Sequence, residues 1–229
     1  MTPQVRYLFY DLFFSMFVRE PTDEIIAAWR RGLEAVSQAR FDTALTEAAG
    51  KLLQRLADPA AGDAVRAEFV RLFWLPEGPA VSTLGSQYVD GKPFGDYLVR
   101  VRTFLENTPF RRRQDCAEPE DSLPFHLELM RWLIQEESEA TGPCEKAQWC
   151  LRQDELANGL MGGWCHRFPE ELAAQDAAPF YQQVAHLLGQ FLQREHEFLL
   201  AGRGSGSTRG RQVGGLSMAR PAGSYFRQP

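Results

Sequence analysis

The stretch AEPEDSLPFHLELMRWL, residues 117–133, begins as an acidic, proline-containing segment and continues as an apolar helical pattern. Proline fixes its own φ and biases the residue before it away from helix, so the acids around Pro119 are expected on a loop or a helix start. These acids are Glu118, Glu120 and Asp121. Asp121 is a candidate N-cap. The apolar residues Phe125, Leu129, Trp132 and Leu133 then recur every three or four positions, with Glu128 and Arg131 between them, which predicts an amphipathic helix.

Two interpretations of the three acids are open. Carboxylates at a helix N-terminus are favoured by the helix dipole, so these side chains can simply solvate and cap the helix. Three carboxylates nevertheless exceed what one cap needs, and they create a negative field suited to a cationic partner. A basic loop, Arg111–Arg113, precedes them and is expected either to compensate their charge or to contact a partner.

The composition favours an all-α fold. The chain has 229 residues, 44% of them hydrophobic, which is enough for a large core. Valine and isoleucine are sparse and no convincing strand pattern of alternating polarity is present, so residues 1–201 are predicted to form one helical domain without a sheet. Residues 202–229 are rich in Gly, Ser and Arg and are predicted to be disordered, as a native tail or an added linker.

Charge and motifs exclude several functions. Residues 1–201 carry 20 basic and 30 acidic residues, a net charge of −10, which argues against nucleic-acid binding and permits a basic peptide as partner. The four cysteines and four histidines show no metal-ligand spacing, so neither a metal nor a cofactor is predicted. No nucleophile motif or phosphate loop occurs, which argues against an enzyme.

The N-terminal run from Tyr7 to Val18 is apolar, but it resembles neither a membrane span nor a signal sequence. Asp11 interrupts the run, which is too short to cross a bilayer. No small-residue cleavage site follows it. A cytoplasmic chain without stable membrane insertion is therefore predicted.

A second segment without clear periodicity extends from Trp74 to about Gly95. A loop of this length inside a compact domain is usually functional or disordered, and its aromatic residues favour order. Tyr88 and Phe94 are expected either to plug the core or to contribute to ligand binding.

Three sets of residues resemble the TorD/DmsD/NarJ-type family of maturation chaperones for molybdenum-dependent oxidoreductases. The first is E-P-x-D followed by an apolar helix containing E-L-x-M, where Ser122 replaces the histidine that the family usually has after the aspartate. The second is S-x-Y-x-x-D-G, matched by Ser86, Tyr88, Asp90 and Gly91. The third is W-x-x-x-F followed by P-F-Y, matched by Trp164, Phe168, Pro179, Phe180 and Tyr181.

The resemblance implies a single TorD/DmsD-like bundle of about nine to eleven helices and the function of a cytoplasmic, system-specific chaperone. Such a protein binds the apo catalytic subunit of a molybdenum-cofactor oxidoreductase through its twin-arginine leader, assists cofactor insertion and proofreads export. The alternative is an assembly factor that binds a mature subunit surface of a cytoplasmic-facing oxidoreductase without a role in export. Relatives occur as monomers and as domain-swapped dimers, and a hinge is predicted near residues 107–120.

The peptide-binding site implied by the resemblance combines carboxylates with an apolar groove. Its candidate residues are Glu118, Pro119, Glu120, Asp121, Ser86, Tyr88, Asp90, Phe125 and Leu129. The carboxylates are expected to pair with the arginines of the leader. Phe125 and Leu129 are expected to line the groove that receives the apolar helix after those arginines.

Overall fold

The computed structural model describes residues 1–39, 41–58, 60–75, 77–204 and 226–227. It is 71% helical, with ten α-helices, which confirms the all-α prediction and the expected number of helices. The helices are α1 Pro3–Phe17, α2 Asp23–Gln38, α3 Thr43–Arg55, α4 Ala61–Phe73, α5 Gly85–Val89, α6 Asp96–Glu106, α7 Leu123–Glu139, α8 Pro143–Asp154, α9 Arg167–Ala173 and α10 Pro179–Gly204. Two short strands are β1 Arg111–Arg112 and β2 Phe226–Arg227.

The chain divides into two compact units that are not continuous in sequence. The first unit comprises Met1–Phe14, Leu84–Trp164 and His196–Pro229, and the second comprises Ser15–Thr83 and Cys165–Glu195. The long helices α1 and α10 each contribute residues to both units. Residues 107–120 lie entirely within the first unit, and the hinge predicted there remains a prediction.

In the second unit, α2 packs along α3, and both helices begin at residues that the sequence marks as caps. The Thr22 hydroxyl accepts a hydrogen bond from the Ile25 N–H at 3.4 Å. The Asp42 carboxylate accepts one from the Leu45 N–H at 3.1 Å. Each bond satisfies a backbone donor that the first helical turn leaves unpaired.

The P-F-Y sequence at the start of α10 is held by a buried carboxylate of the same unit. Glu68 accepts hydrogen bonds from the N–H groups of Phe180, at 3.0 Å, and Tyr181, at 3.1 Å. The Phe180 ring stacks on Trp29 with centroids 5.8 Å apart, and the Tyr181 hydroxyl donates to the Met16 carbonyl at 3.0 Å. Glu68 therefore caps α10 from a distant position in the sequence, while Pro179 occupies the first helical position, which proline favours.

In the first unit, α7 is the central helix. Every residue from Leu123 to Gln135 is buried, including the polar residues His126, Glu128, Arg131 and Gln135. Arg131 pairs with Asp11 of α1 at 2.7 Å, and the rings of Tyr7 and Phe14 lie 5.3 and 5.0 Å from its guanidinium carbon. The prediction of an amphipathic helix is therefore wrong for residues 123–135, because this part of α7 is buried on all sides.

The segment after α7 changes its helical form along its length. The α-helix α8 ends at Asp154 and continues as a π-helical turn, Glu155–Leu160, and a 3₁₀ turn, Met161–Gly163. Leu151 of α8 is 63% exposed.

A short strand pair departs from the predicted absence of any sheet. Arg111 and Arg112 pair antiparallel with Arg227 and Phe226. The disorder predicted for the tail falls mainly on residues 205–225 and 228–229, which lie outside the described residues, while α10 continues to Gly204. Among the described residues, no helix combines the length and apolarity that a membrane span needs.

Candidate peptide-binding site

Helix α7 begins one residue later than the sequence predicts. Ser122 is the N-cap, because its hydroxyl accepts a hydrogen bond from the Phe125 N–H at 3.3 Å, and the helix begins at Leu123. Asp121, the predicted cap, lies just outside the helix. The serine that replaces the histidine of the family motif therefore has a defined structural role as the cap.

Asp121 joins the start of α7 to the start of α5. Its side chain is fully buried, and its Oδ2 accepts a hydrogen bond from the Ser86 N–H at 3.2 Å. Its backbone carbonyl accepts another from the Gly85 N–H at 2.8 Å, and Leu84 and Ser122 form an adjacent β-bridge. The other carboxylate oxygen, Oδ1, has no hydrogen-bond partner among the described residues. The structure thus brings together Ser86 and Asp121, which belong to two separate sequence motifs.

The segment from Trp74 to Gly95, predicted to be a loop, contains the short helix α5. Its last six residues, 90–95, have the sequence D-G-x-x-x-G and lead directly into α6. Asp90 accepts a hydrogen bond from the N–H of Tyr97, the second residue of α6, at 2.9 Å. Gly95 precedes that helix as its N-cap and has no side chain to offer. A Cβ at Gly95 would collide with the Asp90 carboxylate, so Asp90 caps α6 from outside only because position 95 is glycine.

Aromatic side chains fill the space beneath α5. The Tyr88 ring stacks on Trp164 with centroids 5.5 Å apart, and the Trp164 indole N–H donates to the Tyr97 hydroxyl at 2.7 Å. Gly85 lies so close to the Tyr97 and Trp164 rings that a Cβ there would approach a Trp164 ring carbon to 2.9 Å. Tyr88 is only 8% exposed and therefore belongs to the core of this unit.

His126 is a buried polar residue that the sequence does not identify as part of the site. Its Nδ1 lies 2.7 Å from the Ser122 carbonyl, which can only accept, so Nδ1 carries the proton and Nε2 faces the Tyr97 hydroxyl at 3.3 Å. Burial lowers the pKa of His126 to about 4, so the ring is neutral at pH 7.

The two glutamates of the acidic segment are only partly accessible. Glu120 pairs with Arg102 at 2.7 Å, and its side chain is 15% exposed. Burial raises the pKa of Glu118, and hydrogen bonding to Ser122 opposes this effect. In the basic loop, Arg112 donates to the backbone carbonyls of Cys116 and Glu118, and Arg113 pairs with Asp115 at 2.6 Å. The arginine that neutralises an acid of the segment is thus Arg102 of α6.

Phe125 and Leu129, which are predicted to line an apolar groove, have no exposed surface in this conformation. Three large apolar side chains are instead exposed around α5 and α6. They are Val89, 39% exposed, Phe94, 62% exposed, and Val99, 60% exposed. Among the described residues, no group of three or more His, Cys, Asp or Glu side chains is placed to hold a metal ion.

Comparison with known proteins gives the family. The model of the family described as nitrate reductase delta subunit matches residues 38–170, more than half of the chain. The chain belongs to the nitrate reductase delta subunit family. This membership confirms the resemblance to TorD and NarJ proteins, which form a family of maturation chaperones rather than of enzymes.

Curated members of the nitrate reductase delta subunit family match nearly the whole chain. The chaperone protein TorD of Aeromonas salmonicida is 28% identical over 207 residues, covering 86% of this chain and 92% of its own length. TorD of Actinobacillus pleuropneumoniae serotype 3 is 23% identical over 201 residues, covering 85% of this chain and 96% of its own length. TorD of Shewanella pealeana is 24% identical over 215 residues, covering 86% of this chain and 90% of its own length. No solved structure matches the chain with statistical significance.

Proposed function

We propose that this chain is a cytoplasmic, system-specific chaperone that binds the apo catalytic subunit of a molybdenum-cofactor oxidoreductase through its N-terminal twin-arginine leader. Binding assists cofactor insertion and delays export until insertion is complete. The observation that carries the proposal is the match to TorD chaperones over 85–86% of this chain. The chain is proposed to act as a monomer or as a dimer swapped at residues 107–120.

The exposed groups of the first unit support binding of such a leader. An arginine side chain pairs best with a carboxylate, and an apolar helix needs an apolar surface beside that carboxylate. Glu118, Pro119 and Glu120 are partly exposed and are proposed to contact the leader. Ser86 and Asp121 are fully buried and Tyr88 nearly so, and we assign them, with Asp90, to holding the site in shape.

The alternative function, binding of a mature subunit surface, is favoured by a second apolar surface. Trp74, 58% exposed, and Leu75, 37% exposed, follow α4 in the second unit. Exposed tryptophan is frequent where a folded partner binds. This surface is proposed to contact a folded client under the alternative function.

Calorimetric titration of the client's leader peptide into the full chain tests the proposal. We expect saturable binding that weakens as salt is added, because the pairs of arginine with carboxylate are screened. A matched peptide with both arginines replaced by glutamine should bind at least about tenfold more weakly, since each charge-assisted hydrogen bond contributes roughly 1.5–3 kcal/mol. Absence of binding by the natural leader, or equal binding of both peptides, would contradict the proposal.

A further inference from the structure

We propose that Phe94 is the residue on which the apolar part of the leader docks, and that Ser86 and Asp121 are positioning residues that hold it for this purpose. The inference rests on the proposed function and adds the apolar contact that Phe125 and Leu129 do not provide. It makes Val89, Phe94 and Val99 the apolar docking surface, and it commits to the stretch after the leader's arginines as the occupant.

The backbone of Phe94 is unfavourable for a residue with a side chain. Its φ is 58°, the left-handed region that glycine occupies without steric cost, and it is the one non-glycine residue in that region among the described part of the chain. Its ring is 62% exposed, so the ring adds little to the stability of the fold. Glycine would suit position 94 better on both counts. An unfavourable conformation that presents an aromatic ring to solvent is the kind of outlier that indicates a binding role.

Two successive hydrogen bonds hold this conformation. The Phe94 N–H donates to the Ser86 hydroxyl at 2.9 Å, and the Ser86 N–H donates to the Asp121 carboxylate at 3.2 Å. Ser86 and Asp121 both have no exposed surface, so neither can touch a peptide in this conformation. The E-P-x-D and S-x-Y-x-x-D-G motifs are thereby connected to one exposed ring. Their shared effect is to fix the backbone that presents Phe94.

The two valines extend the surface along neighbouring elements. Val89 is the last residue of α5 and Val99 lies at the fourth position of α6. The hydrogen bond from the Tyr97 N–H to Asp90 links the end of α5, which carries Val89, to the start of α6, which carries Val99. Exposed apolar residues on adjoining elements are typical of an interaction site.

The charges around this surface suit a peptide with arginine beside an apolar stretch. Asp96 is exposed in the first turn of α6, between Phe94 and Val99 in the sequence. It is a carboxylate that a leader arginine can reach. Two cations, Lys92 and Arg100, are also exposed, and Arg100 lies over the Tyr97 ring at 5.2 Å. We assign one leader arginine to Asp96, in addition to the contacts proposed for Glu118 and Glu120, and the apolar residues after it to Phe94.

The variant Phe94→Gly separates folding from binding. Glycine relieves the left-handed conformation, so the melting temperature should stay the same or rise by about 2–4 °C. Removing an aromatic docking residue should weaken leader binding at least about tenfold. The matched control is Leu151→Ala, because Leu151 is 63% exposed in the same unit and lies on α8. This control should bind the leader as the unmodified protein does.

Ser86→Ala tests the positioning role. Without the hydroxyl, the Phe94 backbone loses its acceptor, and leader binding should weaken by roughly threefold or more. In a protein that already carries Phe94→Gly, the same change should have no further effect on affinity, because the ring that it positions is absent. Equal losses in both backgrounds would show that Ser86 does not act through Phe94.

The probe is a synthetic twin-arginine leader peptide, with two adjacent arginines followed by an apolar stretch, titrated into the full-length protein. If the unmodified protein does not bind it, the proposed function fails. If the unmodified protein binds and Phe94→Gly binds equally well, the proposed function stands and the assignment of Phe94 is overturned. If Leu151→Ala weakens binding as much as Phe94→Gly, exposed apolar area in general is responsible, which also overturns the assignment.

Discussion

Replacing Asp121 with lysine is expected to lower the melting temperature by about 10 °C. Asp121 has no exposed surface, and its carboxylate accepts the Ser86 N–H. A lysine there removes that acceptor and leaves an uncompensated buried charge, which costs about 3–5 kcal/mol, and each kcal/mol corresponds to about 2–4 °C in a chain of this size. Thermal unfolding followed by circular dichroism measures the effect.

Asp115→Lys is the matched control for this substitution. Asp115 lies six residues earlier in the same acidic region, its side chain is 67% exposed, and its partner is the exposed Arg113. Loss of an exposed ion pair costs at most about 1 kcal/mol, so this variant should melt within a few degrees of the unmodified protein. If Asp121→Lys were as stable as Asp115→Lys, Asp121 would have to be accessible to solvent and free to meet a ligand.

A pH-dependent loss of stability is expected from His126. Its pKa is lowered by burial from 6.5 to about 4, so the unfolded chain binds the proton more tightly than the folded one. The stability that the neutral ring contributes is complete above pH 6.5 and is lost as the pH falls towards 4. The free energy of unfolding should decrease by about 3 kcal/mol from this residue alone over that interval.

Comparison with His126→Asn isolates this contribution. The asparagine amide can still donate to the Ser122 carbonyl, but it does not titrate. Other groups also take up protons over this pH interval. One is Glu118, whose raised pKa increases the free energy of unfolding as the pH falls. These groups are present in both the unmodified protein and His126→Asn, so their effects cancel in the comparison. Urea denaturation at pH 7 and pH 4 should therefore show a loss about 3 kcal/mol smaller in the variant. Equal losses would mean that His126 takes up its proton without unfolding.

The sequence predicts the helices well where a local signal determines them. Thr22 and Asp42, both of residue types that favour the N-cap, cap their helices, and Pro179 begins α10. Each of these signals acts within one helical turn, so it can be identified from neighbouring residues alone. The cap of α10 is different, because Glu68 lies more than one hundred residues away from the helix that it caps.

The candidate site is harder to predict from the sequence, because it depends on contacts between segments that are far apart in the chain. A helical pattern shows which residues share a face, but it does not show whether a second layer covers the opposite face. For this reason the pattern predicts Phe125 and Leu129 as groove residues, although α7 is buried on every side from Leu123 to Gln135. Likewise, the acidic pattern does not reveal that Asp121 turns inward to Ser86.

Phe94 shows the same limit at a single position. A phenylalanine between proline and glycine gives no indication of whether its ring packs inside or faces solvent. The outcome depends on the Ser86 hydroxyl, which accepts the Phe94 N–H and holds the left-handed backbone. That hydroxyl is placed in turn by Asp121, which follows 35 residues after Ser86 in the sequence.

The measurement that tests the proposed function most directly is binding of the intact client with and without its leader. The full-length chain would be immobilised and exposed to the apo catalytic subunit, either complete or lacking only the N-terminal leader. A chaperone that recognises the leader should retain the complete subunit and bind the leaderless form at least about tenfold more weakly, in line with the loss of its main contacts. Equal binding of both forms would contradict leader recognition and show that the chain binds a surface of the mature subunit.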